Sequence, residues 1–389
     1  MRIHSAVGID IGTYQVKVVV TDAKSPDPSK PKVLGTGISE SKGLRHGYIL
    51  NHADAVKAIR SAVAQAAKAA HIEIKNAYIS IGGIGLQSIN HSASVTISRA
   101  DQEVTEFDIE KAQALCEHEI PKNFIINRKV IHPITLGYRI DGKAVLGRPH
   151  GMKGSKLEVR MLFITCLEQH VNDIVDAVND AGIEVLDIVA SPIAGSLVTL
   201  SKAQKLAGCV LANIGAETVS IVVYENSLPV SLEVFPIGST DITNDIALGL
   251  RLPIEDAESI KKGLATQSTF SKRKLDEIIN ARLSDIFELI EAHLKRIDRS
   301  GLLPAGIIIT GGGSGIATIE DLAKAYLRLP SRTVTTHTNQ KDGIKDSTWS
   351  VAYGLCILGG NPGEDSHLGF NLTKASAFKI LGWFKQFLP

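Results

Sequence analysis

Apolar and polar positions along the chain fall into blocks whose period switches between two and about 3.6 residues, and those switches predict the order of elements. Residues 5–21 read as a strand, a tight glycine turn and a second strand: Val16, Val18 and Val20 alternate with Lys17 and Val19, and β-branched residues dominate. A polar, Pro-rich loop at 25–31 leads to a third strand near 33–39. Residues 54–71 place Val56, Ile59, Val63 and Ala67 on one stripe of an Ala-rich helix. Residues 76–81 predict a strand that ends in Gly82-Gly83.

From 86 to about 163 the texture changes. Strand-like runs at 86–97, 128–140 and 157–165 surround one helix at 106–120, with Asp141-Gly142 as a turn signal. This predicts a small α+β insertion rather than a continuation of the βαβ series. Alternation then resumes with a helix at 168–181 closed by Gly182, a strand at 185–190 and a short helix at 192–201. Three strands follow at 208–213, 219–225 and 228–236, with a turn after the first, repeating the N-terminal pattern. Helices are expected at 241–249, 253–262, 275–297, 318–329 and 347–358, and 307–310 is an apolar strand running into Gly311-Gly312-Gly313. The stretch 359–374 carries Gly, Asn and Asp and reads as a linker.

Composition narrows the class. The 389 residues hold 42 Lys plus Arg against 41 Asp plus Glu, a net charge of +1, which argues against a nucleic-acid partner. With 44% hydrophobic and 21% charged residues, wholesale disorder is excluded, and the length suits two or more domains. Cys116, Cys166, Cys209 and Cys356 form no CxxC pair, which excludes a disulfide scaffold and the usual zinc clusters. The N-terminal apolar stretch is interrupted by Asp10, and no run reaches the roughly 18 apolar residues that cross a bilayer. A cytoplasmic protein is expected.

The candidate chemistry lies in three glycine turns. In the first, Gly8-Ile9-Asp10-Ile11-Gly12-Thr13-Tyr14-Gln15-Val16-Lys17, glycine lets backbone N–H groups approach a phosphate. Asp10 ends a strand, where a carboxylate can hold Mg²⁺ through water, and Lys17 can reach a terminal phosphate. The second is Asn213-Ile214-Gly215-Ala216-Glu217-Thr218. The third, Thr310-Gly311-Gly312-Gly313-Ser314, puts bare backbone between a buried strand and a helix start, where a purine or α-phosphate can lie. One such turn is weak evidence. Their order and spacing, with a strand triplet at the first and second, resembles the actin-like ATPase superfamily of actin, MreB, sugar kinases and DnaK-type chaperones. Over nearly the whole chain GIDIGTYQVKVVV, DAESIKKG and IIITGGGSGI are similar to segments of the FtsA family of cell-division proteins.

That resemblance implies an α/β actin-like ATPase fold, two RNase H-like domains around a nucleotide cleft. Subdomain 1A would take residues 1–84 and 164–204, the FtsA-type insertion 1C 85–163, 2A 205–239 and 304–359, and 2B 240–303. A linker at 360–374 would precede a membrane-targeting helix at 375–389. ATP and Mg²⁺ are the implied cofactors. Asp10, Gly12, Thr13 and Lys17 would face metal and phosphate; Asn213, Gly215 and Thr218 would cradle the phosphates from the other side. Glu258 and Lys261, one helical turn apart, would contact ribose and adenine, or form a plain helix-surface ion pair. Gly311, Gly312, Gly313 and Ser314 would pack on the adenosine. The second turn departs from the family's Asp-Ile-Gly-Gly-Gly-Thr: Asn213 has lost the acid, and Ala216 and Glu217 replace two glycines. Nucleotide binding with weak or absent ATPase activity is therefore expected.

The C-terminal residues complete the picture. At about 100° per residue, Ile380, Leu381, Trp383, Phe384, Phe387 and Leu388 share one face of a helix, with Lys379, Gly382, Lys385 and Gln386 opposite and Phe378 at the side. That pattern suits a helix lying in a membrane interface, each side chain worth ~1.5–3 kcal/mol when buried. Such an anchor is reversible, and polymerisation would add avidity. The implied partners are the FtsZ C-terminal peptide on 2B, with Arg282, Lys295 and Arg296 as candidate contacts, other copies of the chain through 1C, the cytoplasmic face of the membrane and other division proteins. A sugar-kinase-type phosphotransferase is the enzymatic alternative, but Ser191-Pro192-Ile193-Ala194 offers no general-base carboxylate. A PilM-like pilus-assembly protein is the other, and the amphipathic tail argues against it.

Overall fold

In this computed structural model, residues 5–264, 271–334 and 347–360 are described. Two five-stranded sheets share one topology. In the first, the order is Glu184–Ala190, Asn76–Ile81, Ser5–Ile11, Gln15–Asp22, Val33–Glu40. In the second it is Ser331–Thr333, Ile307–Thr310, Cys209–Ile214, Val219–Glu225, Leu228–Phe235. In each lobe the first strand pairs antiparallel with the second and parallel with the strand on its other side.

The strands read as almost continuous apolar runs because both faces are covered. In the first lobe Val7, Ile9, Val16, Val18 and Val20 face the Ala-rich helix His52–Ala70, while Ala6 and Val19 face the helix Ser350–Gly360. A Cβ on Gly8 would stand 2.2 Å from the Ala352 carbonyl oxygen, so this helix lies directly on the backbone of the first strand. In the second lobe Val210, Ala212, Val219 and Ile221 pack on Ile242, Ile246, Leu283 and Phe287 from Ser239–Leu250 and the long helix Lys272–Arg296. The opposite face, with Leu211, Val222 and Tyr224, joins the first lobe's core through the helix Ser191–Thr199. The Tyr224 hydroxyl lies 2.7 Å from that of Ser196 within this junction.

The insertion is a four-stranded antiparallel sheet in the order Gln87–Thr96, Lys156–Leu167, Arg128–Ile140, Lys143–Val145. Leu157, Val159, Met161 and Phe163 face the helix Glu106–His118, and Leu162, Ile164 and Cys166 face the first lobe. Its edge strand also meets the second lobe: the Ser88 hydroxyl donates to the Leu232 carbonyl at 2.9 Å and accepts from the Leu232 N–H at 2.7 Å. The insertion thus straddles both lobes.

Three expectations change. Residues 304–359 do not stay together in the second lobe, because Ser350–Gly360 returns to cover the first lobe's open sheet face. That helix also runs through Gly359 and Gly360, where a linker was expected. The single helix expected at 192–201 is two, Ser191–Thr199 and Lys202–Ala207, because Leu200 turns extended and Ser201 caps the second with a capping box. The proposed tail, with Phe378, Ile380, Leu381, Trp383, Phe384, Phe387 and Leu388, lies outside the described residues.

Candidate functional site

The equivalent turns of the two lobes face each other across a cleft of about 790 Å³. Each is closed the same way: the Gly12 N–H donates to the Gln15 carbonyl at 3.2 Å and the Gly215 N–H to the Thr218 carbonyl at 2.9 Å. The β-ladder then places Lys17 directly across from Asp10. The Ser80 hydroxyl donates to the Asp10 carboxylate at 2.8 Å. Burial raises the Asp10 pKa above the ordinary carboxylate value, while Lys17 and Ser80 pull it back. At the same positions of the second lobe, Asn213 lies across from Ser220.

The other wall belongs to the second lobe alone. Lys261 binds Glu258 at 2.7 Å, the Ser239 carbonyl at 3.0 Å and the Thr243 hydroxyl at 2.8 Å. The Thr243 hydroxyl also donates to Glu258 at 2.5 Å, and Lys262 lies 3.1 Å from the same carboxylate. Burial acts to raise the Glu258 pKa, but bonds from Lys261, Thr243 and Lys262 outweigh it and hold the pKa at about 2. Lys261 is shifted down by burial, with Glu258 opposing. The helix-surface pair and the site residue are the same two side chains, because the helix Ile254–Lys261 lays this pair along the cleft.

Asp10, Gly12, Thr13, Lys17, Asn213, Gly215, Thr218, Glu258, Lys261, Gly311, Gly312 and Gly313 all line the cleft. Ser314 does not: its hydroxyl turns back onto the Gly311 carbonyl at 2.7 Å. Gly311 has φ +90° and ψ 176°, a backbone region open essentially to glycine alone. A Cβ there would stand 2.2 Å from the Asn213 Oδ1 and 2.5 Å from the Ile214 carbonyl oxygen. The third turn therefore presses its bare backbone on the second, leaving an open, side-chain-free floor. These cradles and the charge of Lys17 and Asp10 fit a nucleotide. Among the described residues no group of three or more His, Cys, Asp or Glu could hold a metal ion. A single carboxylate with phosphate oxygens is nevertheless an ordinary Mg²⁺ arrangement.

Sequence reasoning missed one element that bridges the first and second turns. A small hairpin, Leu44–Arg45 with Tyr48–Ile49, turns at His46 and Gly47, with φ of 48° and 90°. The Gly47 N–H donates to the Thr13 hydroxyl at 3.1 Å, and the His46 N–H to the Glu217 carboxylate at 2.6 Å. A two-residue His-Gly loop between Leu44-Arg45 and Tyr48-Ile49 was its only signal.

The candidate partner residues are engaged within the chain. Arg282 makes a two-pronged pair with Asp245 at 2.6 and 3.1 Å. Lys295 lies 3.5 Å from Glu291, and Arg296 2.7 Å from Glu233.

Comparison with known proteins follows the same lines. The profile described as "Cell division protein FtsA" matches residues 210–354, and that of the "SHS2 domain inserted in FTSA" matches 83–165. A cell division protein FtsA of Pseudomonas aeruginosa is 30% identical over 380 residues, covering 91% of this chain and 88% of that one. Among solved structures, a PilM–PilN type IV pilus biogenesis complex superposes with a TM-score of 0.68 at 18% identity, covering 92% of this chain and 99% of the other. MreB5 of Spiroplasma citri bound to ADP gives 0.51 at 13% identity, with coverage of 90% and 94%. The shared architecture is the actin-like fold.

Proposed function

The chain belongs to the FtsA family of cell-division proteins, and from that premise we propose that it is a nucleotide-binding, self-assembling adaptor that ties the FtsZ ring to the cytoplasmic face of the membrane. The observation that carries this reading is the pair of equivalent glycine turns facing one cleft, with Asp10 and Lys17 on one side and Glu258 and Lys261 on the other. Asp10 would hold Mg²⁺, which supplies charge neutralisation beside the phosphates, and Lys17 would meet their charge. Glu258 and Lys261 meet the nucleoside over the floor of Gly311, Gly312 and Gly313. Asn213 carries no charge where Asp10 does, so ATP turnover is slow.

The region 240–303 receives the FtsZ C-terminal peptide. Lys295 and Arg296 serve there better than Arg282. Their side chains are 67% and 64% exposed, so an acidic peptide can reach them, while the glutamates they pair with are 17% and 26% exposed. Arg282 is fixed in its two-pronged bond. The insertion makes the contact between copies, and the tail 375–389 lies in the membrane interface. No helix among the described residues is long and apolar enough to cross a membrane.

The test is sedimentation with anionic liposomes, using the full chain and a chain truncated before Ala375, with and without ATP. The full chain should pellet, more so with ATP, and the truncated chain should stay in solution. Both forms remaining in solution would overturn the membrane role and favour a pilus-type or kinase-type reading.

A further inference from the structure

We propose that Glu217 makes the cleft discriminate between nucleotides by their phosphate count, disfavouring a triphosphate relative to a diphosphate. The inference rests on the nucleotide reading of the cleft given above.

Glu217 is the third residue of the second turn, the position that Tyr14 holds in the first. It lines the cleft, and its side chain reaches across to the first lobe. The carboxylate accepts the His46 N–H at 2.6 Å, and the Glu217 carbonyl oxygen lies 3.0 Å from the His46 Nδ1. The next residue of the hairpin, Gly47, donates its N–H to Thr13 in the first turn at 3.1 Å. Two adjacent residues thus bridge the two phosphate-facing turns, and Glu217 is the anion in that bridge. Its carboxylate donor is a neutral amide, so the charge is oriented but not cancelled.

The nucleoside end of the cleft is fixed by Gly311, Gly312, Gly313, Glu258 and Lys261. A phosphate chain laid from there between the two turns advances toward the His46–Gly47 bridge with each added phosphate. A diphosphate ends short of the bridge. A third phosphate brings its charge against Glu217 and competes with it for the His46 N–H. Two anions a few ångströms apart in a partly desolvated cleft repel strongly, enough to shift affinity on the order of tenfold. Asp10 also carries a carboxylate, but Lys17 stands across from it and a bridging Mg²⁺ would use it. Glu217 has no such cation in its hydrogen bond.

The experiment measures dissociation constants for Mg²⁺–ATP and Mg²⁺–ADP on the full chain and three variants, at one fixed ionic strength. Glu217→Gln keeps the size and the acceptor and removes the charge. Glu217→Ser is a second neutral variant should the first fold poorly. Glu217→Asp keeps the charge. The neutral variants should tighten ATP about tenfold relative to ADP, and Glu217→Asp should keep the unsubstituted ratio. An unchanged ratio in both neutral variants overturns the proposal and leaves the nucleotide site standing. An equal change in the aspartate and neutral variants also overturns it, because geometry and not charge would then be the cause. If the unsubstituted chain binds neither nucleotide, the reading of the cleft itself fails and this proposal with it.

Discussion

In the first lobe the ladder partner of Asp10 is Lys17; in the second, the same two positions are Asn213 and Ser220. The backbone frame of these turns is shared: the strand order, the antiparallel partner, and the glycine N–H bonded to the carbonyl three residues on. The third residues even behave alike. Tyr14 reaches the second lobe, where Lys262 stands 5.9 Å from its ring centre, and Glu217 reaches the first lobe at His46. The backbone of an RNase H-like half is therefore the same in both lobes, and what distinguishes them is set by a few side-chain positions. One half supplies a charged pair. The other supplies the lone carboxylate of Glu217, and takes its paired charges from the helix Ile254–Lys261 outside the turn.

The largest effect is expected where the lobes differ in backbone. The strand Asn76–Ile81 ends in Gly82-Gly83, and its counterpart Ile307–Thr310 ends in Gly311-Gly312. Gly311→Ala forces a Cβ into backbone and into Asn213 at a φ open essentially to glycine. It should cost about 3 kcal/mol or more, read as a drop of several degrees in melting temperature. At Gly82 the nearest obstacle is the Ser191 hydroxyl at 2.6 Å, a side-chain atom that can turn away. Gly82→Ala should cost about 1 kcal/mol. Equal losses would show that the two floors are built alike.

Exchanging the side-chain chemistry comes next. Asp10→Asn should weaken Mg²⁺-dependent nucleotide binding by about 10- to 100-fold and leave binding in EDTA nearly unchanged. The reciprocal Asn213→Asp gives the second half the acid of the first, and ATP turnover should rise several-fold above that of the unsubstituted chain. Turnover already at an ordinary kinase rate before substitution would remove the asymmetry as its explanation.

Much of this was legible in the chain itself. The repeat of a strand triplet around a glycine turn announced two lobes, and every expected cleft residue but Ser314 lines the cleft: the glycine-turn residues because strand ends and tight turns are local features, Glu258 and Lys261 through the family resemblance. What was not legible depends on contacts distant in sequence. The helix Ser350–Gly360 closes the first lobe because Gly8 admits it, a fact of packing with no local pattern. The bridge from His46 to Glu217 joins residues 171 apart. Glu217 stood out only as a departure from a glycine motif, with nothing to say where its carboxylate would point. Arg282 and Arg296 looked like a free basic face because a sequence does not show Asp245 and Glu233 arriving beside them, whereas Glu291, four residues before Lys295 on the same helix, was a local signal.

The smallest effect tests whether the charges of the second lobe are as independent of its turn as the comparison holds. Glu258 is depressed from 4.5 to about 2 in the folded protein, so it stays ionised well below the pH at which an unfolded chain takes up a proton. Its contribution to stability is complete above pH 4.5 and is lost as pH falls from there toward 2. A third of the side chain is exposed, so solvent screening brings the expected loss to about 1 kcal/mol. Melting temperatures across that window should fall more steeply for the unsubstituted chain than for Glu258→Gln. Asn213→Asp in the turn should leave that difference in slope unchanged. If it alters the slope, the turn and the helix are electrostatically coupled, and the second lobe holds its charges as one unit, as the first does with Asp10 and Lys17.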